Sequence, residues 1–363
     1  MTLTSTTHTI TAVAGRPDGR SGAAVYAELK RAIVAAGLLE RAYGDYLVRG
    51  GVVYAAFVLS LALPFVLPAT PAWSAAEALL IGFASIQVAL IGHDAGHLAV
   101  VASTRGNRRL GSLCWSLSTG IGFWYWSTRH NAHHAHVNDT GKDPEIQGAA
   151  LVAFTEHDAA SRRGWRRVVV RYQALLSPFM VVFVLLVVVA FRVESWLFAL
   201  RRLRGARRLG EIALLGANII LWGWAIAASG RHLAEVFLGA QAVAGLYLAA
   251  IVAPNHKGMP VWTEDSAPSF LERQVLGSRN VRPHPLTDLL FGGLNYQIEH
   301  HLFPTMPRAN LARARAIVRP FCRAHGLDYD EAGLLTSYRR VLSELARVGR
   351  AAGRHGPSGI DLR

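Results

Sequence analysis

Eight of the fifteen histidines in this chain lie in four short groups. They read His93-Asp94-Ala95-Gly96-His97, His130-Asn131-Ala132-His133-His134, Asn255-His256 and Gln297-Ile298-Glu299-His300-His301. Imidazole is the commonest side-chain metal ligand and suits iron, copper and zinc. Eight nitrogens exceed the needs of one ion and match those of two. Residues three and four apart share one face of a helix. His93 with His97, and His130 with His133 and His134, would therefore aim their rings the same way. Gln297, His300 and His301 repeat the second pattern with an amide in the first place.

Elimination narrows the metal. Structural zinc takes four ligands, usually including thiolates, and neither Cys114 nor Cys322 lies inside a histidine group. Calcium and magnesium want oxygen ligands. An all-imidazole set points to a pair of transition metals, with iron the first choice and copper left open by ligand type. Asp94, Asp139, Asp143 and Glu299 stand beside the histidines. Ligating imidazoles usually donate their other N–H to a carboxylate or carbonyl, so these acids are expected to orient ligands rather than bind metal. Asn255 is either a weak or water-mediated ligand or a helix-end cap, and the two readings weigh equally. His8, His136, His157, His232, His284, His325 and His355 fall outside the spacings and read as surface or polar-contact histidines.

The elements that must carry these groups are membrane helices. The chain has 363 residues, is 52% hydrophobic and carries a formal net charge of +14. Its mean hydropathy is +0.25 at a pI near 10.5. That combination is unusual for a soluble enzyme and suits a membrane protein with arginine-rich cytoplasmic surfaces. Two cysteines give no disulfide framework, which fits a reducing compartment.

About twenty apolar residues cross a bilayer. Residues 51–70 and 73–92, joined at Pro68-Ala69-Thr70-Pro71, form one candidate pair of spans. Residues 209–229 and 233–254, joined around Gly230-Arg231-His232, form a second. A fifth stretch, Tyr172–Phe191 within residues 172–200, is equally apolar, but parity argues against a crossing there. It would put His256 and the last two histidines on the opposite side from His93 and His97, and no shared site could form. Arg162, Arg163, Arg166, Arg167 and Arg171 precede this stretch, and Arg201, Arg202, Arg204, Arg207 and Arg208 follow it. The positive-inside rule puts both flanks in the cytoplasm. The stretch, with Ser177 and Pro178 early in it, is therefore expected to be re-entrant or interfacial. The fold class is all-α, with four transmembrane helices and every histidine group in a cytoplasmic cap.

Residues 110–126 form a shorter apolar segment whose Trp115, Trp124, Tyr125 and Trp126 suit the membrane interface, so it is expected to dip into the bilayer without crossing. Two amphipathic helices, Arg308–Ala324 and Asp330–Arg350, are expected in the basic tail. The organisation is then a membrane domain at 49–329, an N-terminal cytoplasmic segment at 1–48 and a C-terminal cytoplasmic helix and tail at 330–363. The first 22 residues read as a polar, disordered leader rather than a cleaved signal peptide.

The histidine groups, in this order, resemble the three histidine boxes of the membrane fatty acid desaturases. Their surroundings match as well. Asn138, Asp143-Pro144-Glu145-Ile146, Ala253-Pro254-Asn255-His256-Lys257-Gly258-Met259, Gly292-Gly293-Leu294-Asn295-Tyr296 and Leu302-Phe303-Pro304-Thr305-Met306-Pro307-Arg308 are similar to the acyl-lipid and front-end, linoleoyl-CoA desaturase-like branch. The resemblance runs from about Gly51 to Tyr329. It implies a di-iron site held by His93, His97, His130, His133, His134, His256, His300 and His301. A glutamine opening the third box is typical of front-end enzymes, so Gln297 is implied as a further ligand or the partner of one. Many eukaryotic front-end enzymes carry a fused cytochrome b5 domain with a His-Pro-Gly-Gly motif. Nothing before Gly51 resembles it, and His284-Pro285 lacks the glycines. Electrons are thus expected from a separate carrier, ferredoxin or cytochrome b5, steered by the basic face. The same arginines would set topology and bind anionic headgroups. The setting implied is a multi-pass protein of a bacterial plasma membrane.

The reaction implied is O2-dependent dehydrogenation of an unactivated acyl chain carried on a lipid, coenzyme A or acyl carrier protein. Two vicinal hydrogens leave, and with O2 and two electrons the products are a cis double bond and water. Burying a CH2 from water is worth about 0.8 kcal/mol, but for a chain arriving from lipid that gain largely cancels. Tunnel depth and bend are therefore expected to set double-bond position, with Trp115, Gly120, Gly122, Trp124, Trp126 and residues 172–200 as the expected lining. The nearest rival is a histidine-box hydroxylase or ketolase of lipids, alkanes or carotenoids. An intramembrane zinc protease, suggested by His93 and His97, would have in Asp94 an acid one methylene short of the usual general base. It would also leave the other grouped histidines unused. A histidine-lined metal transporter would need polar residues within the spans, where Glu77, Glu211 and Glu235 stand nearly alone. No feature suggests a nucleic-acid partner.

Overall fold

The structure, a computed structural model, describes residues 20–147, 151–176, 181–229, 231–263, 266 and 268–354. Residues 1–19 of the expected leader (His8 included), Ser177, Pro178, Gly230, His355 and the end of the tail lie outside these. Helix α1 (Gly22–Ala35) starts at Ser21, whose hydroxyl accepts a hydrogen bond from the Ala24 N–H. Two apolar helices follow, α2 (Tyr43–Ala62) and α3 (Pro71–Gly96). Thr70 caps α3 and Pro71 opens it, a pairing that satisfies one orphan N–H and removes another. Helix α4 (Thr104–Ser112) runs into a π-helical turn at Leu113–Leu117, and α5 (Phe123–Ala135) carries the second histidine group. Short helices α6 (Glu156–Ser161), α7 (Gly164–Arg171) and α8 (Gln173–Leu176) lead to the long α9 (Val181–Arg202), α10 (Gly205–Ser229) and α11 (Arg231–His256). The chain closes with α12 (Phe270–Leu276), β1 (Asn280–Val281), α13 (Pro285–Phe291), α14 (Gln297–Leu302), α15 (Arg308–Ala324), β2 (Glu331–Ala332) and α16 (Leu334–Arg354). The two strands pair in parallel, Asn280 with Glu331 and Val281 with Ala332.

Among the described residues, four helices are long and apolar enough to cross a membrane: Tyr43–Phe65, Pro71–Gly96, Gly205–Ala228 and His232–His256. These are the four spans expected from the sequence, each begun earlier than its apolar stretch. Helical hydrogen bonding does not stop where hydrophobicity does. Helix α15 matches its expected bounds, whereas the last helix starts at Leu334 because Glu331 and Ala332 are taken by the strand pair. Residues 110–126 are not one straight segment. The π-helical turn and Gly120, at φ +72°, reverse the chain before α5.

The expected flanking segments pack into the same body as the rest. Val25, Leu29 and Ile33 of α1 share an apolar cluster with Leu271, Ile298, Leu302 and Val318. Helix α16 packs on α6, α7, α8 and α11.

Helices α3 and α11 form the most extensive helix–helix contact among the described residues. Small residues allow it. A Cβ at Gly82 would lie 2.7 Å from the Ala240 carbonyl oxygen, and one at Gly239 would lie 2.9 Å from the Ala78 Cβ. Close backbone approach through small residues is the main means of helix association in lipid. Gly82→Leu should therefore lower the thermal midpoint in detergent, since overpacking costs about 1–3 kcal/mol. Gly223→Leu, where the added Cβ meets nothing within 4 Å, should stay within about 0.5 kcal/mol of the parent. Equal midpoints for the two variants would refute the close packing.

Candidate metal centre

All eight grouped histidines converge. His93, His97, His130, His134 and His300 form one set, and His133, His256 and His301 the other; within each, the candidate ligand nitrogens lie within 4.8 Å of one another. The local folding is shared. His93 is in the last turn of α3 and His97 follows it, His133 and His134 end α5, His256 ends α11, and His300 and His301 end α14. Four helix C-termini thus meet at one place, and each carries partial negative charge.

The imidazole protons are held away from the centre. Nδ1–H groups donate from His93 to Asp94 at 3.1 Å, from His133 to both Asp143 oxygens at 3.0 Å, from His256 to the Gly277 carbonyl at 2.9 Å and from His301 to Gln274 Oε1 at 2.9 Å. These partners only accept at those atoms, so the Nε2 lone pairs of these four histidines point inward. His130 Nε2 lies 3.0 Å from the Nε2 atoms of His93 and His97, and 3.1 Å from that of His134. His134 and His300 are 3.1 Å apart by the same atoms, and His133 and His256 are 3.3 Å apart. Lone pairs facing each other this closely repel unless a cation lies among them, and about 3 Å is the spacing of neighbouring nitrogens each about 2.0–2.1 Å from one ion. His301 Nε2 is buried with no hydrogen-bond partner among the described residues. Burial first, then the neighbouring imidazoles, hold His97, His130, His134, His300 and His301 well below the ordinary imidazole range. They are neutral at pH 7, the form that binds metal. The donor set fits two transition-metal ions.

A supporting layer fixes these rings. The second Asp94 oxygen accepts from the Tyr46 hydroxyl at 2.7 Å and from Arg308 Nε at 2.5 Å, joining α2, α3 and α15. Arg308 Nη2 also donates to the Leu90 carbonyl. Burial raises the Asp143 carboxyl, but His133 together with hydrogen bonds from the Glu145 and Asn138 N–H groups outweighs it and keeps the group ionised. Gln274 spans both sets: its Oε1 faces His301 while its Nε2 donates to the His134 carbonyl at 2.9 Å. Asn255 Nδ2 donates to Gln297 Oε1 at 3.0 Å, and Gln297 Nε2 lies 2.9 Å from His256 Nε2.

Two of the four expected acids touch no box histidine. Asp139 Oδ1 accepts from the Gly141 and Lys142 N–H groups and shapes the loop. Glu299, which burial raises to about 6, accepts from Asn280 and Tyr329. Tyr46, Gln274, Gly277 and Arg308 were missed as ligand supports. Only Arg308 carried a signal, as part of the stretch resembling the family.

Around the tryptophans, Trp126 stacks on His130 at 4.8 Å and on Trp115 at 4.6 Å. Trp124 lies between the Arg108 and Arg207 guanidinium groups. Gly120 and Gly122 are close packings rather than cavity lining, since an added Cβ would meet Asn218 Oδ1 at 2.6 Å or Glu211 Oε1 at 2.8 Å. Of the histidines set aside, His232 pairs with Ser74 and Glu77. None of those within the described residues joins either set.

Residues 67–333 match the family described as Fatty acid desaturase, a span that contains every one of the converging histidines. The chain belongs to the fatty acid desaturase family. Among curated relatives, it is 28% identical over 292 residues to the Acyl-lipid (9-3)-desaturase of Physcomitrium patens, covering 76% of this chain and 54% of the relative. It is 30% identical over 265 residues to the Delta(8)-fatty-acid desaturase of Euglena gracilis, covering 69% and 62%. It is 27% identical over 292 residues to Fatty acid desaturase 3 of Homo sapiens, covering 77% and 62%. This desaturase-family chain thus spans between about half and two thirds of the length of these relatives. All three are eukaryotic, and the expectation of a bacterial source finds no support in them.

Within the desaturase-family site, five imidazoles serve one set and three serve the other. The set of three should release its metal first. Titrating the purified protein with a chelator and counting metals by mass spectrometry should show two steps. Asp143→Ala, which frees His133, should move the weaker step by roughly 10–100-fold and leave the other in place. A single step in both proteins would refute the division into unequal sets.

Proposed function

We propose that this protein introduces a cis double bond into a fatty acyl chain, using O2 and a di-iron centre held by the eight histidines. The observation that carries the reading is the pair of adjacent imidazole sets at the ends of membrane-type helices, within a span matching the desaturase family. Two iron ions there would supply the O2-dependent removal of two vicinal hydrogens. The chain's own residues position and shield. Asp94, Asp143, Gly277 and Gln274 hold the ring N–H groups outward. Gln297 stands beside the three-histidine set as a further donor or the partner of one. Trp126, stacked on His130, and Trp115, stacked on Trp126, form an apolar flank of the centre, which would help keep water from the reacting methylenes.

The acyl chain would come on a lipid, coenzyme A or acyl carrier protein, and the electrons from ferredoxin or cytochrome b5. We place the histidines in a cytoplasmic cap, with α9 re-entrant or interfacial. Helices α3 and α11 both end at the centre, so the chain between α3 and α10 must begin and end on one side. Its flanking arginines favour the cytoplasm.

The test is expression in a host of defined lipid content, with mass spectrometry of the extracted acyl chains. The wild type should add a double bond that His133→Ala does not, and the purified protein should hold about two irons, one for each histidine set. A hydroxylated product would replace this reading with the hydroxylase one.

A further inference from the structure

A partly open cavity is lined by residues of α2, α3, the π-helical turn and the loop after it, α9, α10 and α11. Trp115 forms its wall nearest the histidines, through the stack on Trp126 and His130. Helix register locates the other end. Gln241 is the lining residue furthest back from His256 on α11, roughly 22 Å away at 1.5 Å per residue. Ile81 is furthest back from His93 on α3, roughly 18 Å away. Trp222 of α10 lines the cavity too, with its ring 4.7 Å from that of Phe237. The space open to the centres of water-sized groups is about 30 Å³, against roughly 10–15 Å³ for one water. That is room for roughly two water-sized groups, the size of the last two carbons of a chain.

Arg192 closes this end. Its Nη2 donates to the Thr119 carbonyl at 2.6 Å and to Gln241 Oε1 at 2.8 Å, and its guanidinium lies 5.4 Å from the Phe237 ring centre. Its Nε is buried without a hydrogen-bond partner among the described residues. An apolar floor could yield to a longer chain by rotamer changes. A guanidinium tied to a backbone carbonyl and an amide cannot, because a methyl group would strand a buried charge and two acceptors.

We infer that Arg192 and Gln241 form the floor on which the methyl end of the substrate chain rests, and so set the chain lengths accepted. This rests on the desaturase reading above. The test supplies acyl chains of graded length to cells expressing each variant and scores desaturated products by mass spectrometry. Gln241→Ala and Arg192→Ala should lengthen the preferred chain by one or more carbons. Ser85→Leu, which fills the same cavity from α3, should shorten it. The long-to-short product ratio should change by roughly tenfold or more per carbon. Should Arg192→Ala fail to accumulate, the opposite shifts of the other two variants carry the test. An active wild type whose variants keep its preferred length overturns this inference alone, whereas a wild type that adds no double bond overturns the desaturase reading beneath it.

Discussion

Four helix C-termini meeting at one point is the constraint from which the rest of the structure follows. Imidazole ligands are neutral, so an all-histidine centre supplies no formal negative charge to the cations it would hold. The ends of α3, α5, α11 and α14 each present about half an elementary negative charge, and Asp94 and Asp143 stand behind the rings they orient. The polarity of each helix is thereby fixed: all four must run toward the centre. Two apolar hairpins, α2 with α3 and α10 with α11, satisfy that requirement for the long helices. Whatever lies between α3 and α10 has to return to the side it left.

Helix ends alone would leave the rings free to rotate, and the supporting layer fixes four of them, in part with groups from distant parts of the chain. Arg308 of α15 and Tyr46 of α2 converge on Asp94. Gln274 of α12 ties the His134 carbonyl to the His301 ring. Helix α14 has only six residues and could not hold its shape alone. It is packed into the apolar cluster built by α1, α12 and α15. The segments outside the candidate spans are therefore part of the centre's construction, since they decide where the third histidine group points.

The long-range pattern was legible in the sequence, and the local detail was less so. Span length and histidine spacing are one-dimensional quantities, and both carried through to the four membrane-type helices and the two converging sets. Neighbours along the chain are not neighbours in space. Glu299 precedes His300, yet successive residues on a helix point about 100° apart, so its carboxyl faces Asn280 and Tyr329 instead. Asp139 spends its oxygen on a loop. Gln274 and the Gly277 carbonyl lie far from their histidines in sequence and are common acceptors, so no pattern marks them. Residues 110–126 carry no charge, and composition cannot reveal that a π-helical turn and a left-handed glycine fold them back.

That reversal matters for chemistry because it sets the boundary between two solvents. Trp115 and Trp126, stacked across the fold-back, lead from the His130 ring to the lining of the apolar cavity. An acyl chain dissolved in lipid gains little from entering a second apolar environment, so affinity cannot come from its tail. On the desaturase reading, selection must come from the chain's two ends, with the methyl end on the inferred Arg192 floor. The metal centre lies between them, and the methylene pair placed beside it is fixed by distance from whichever end is held more firmly.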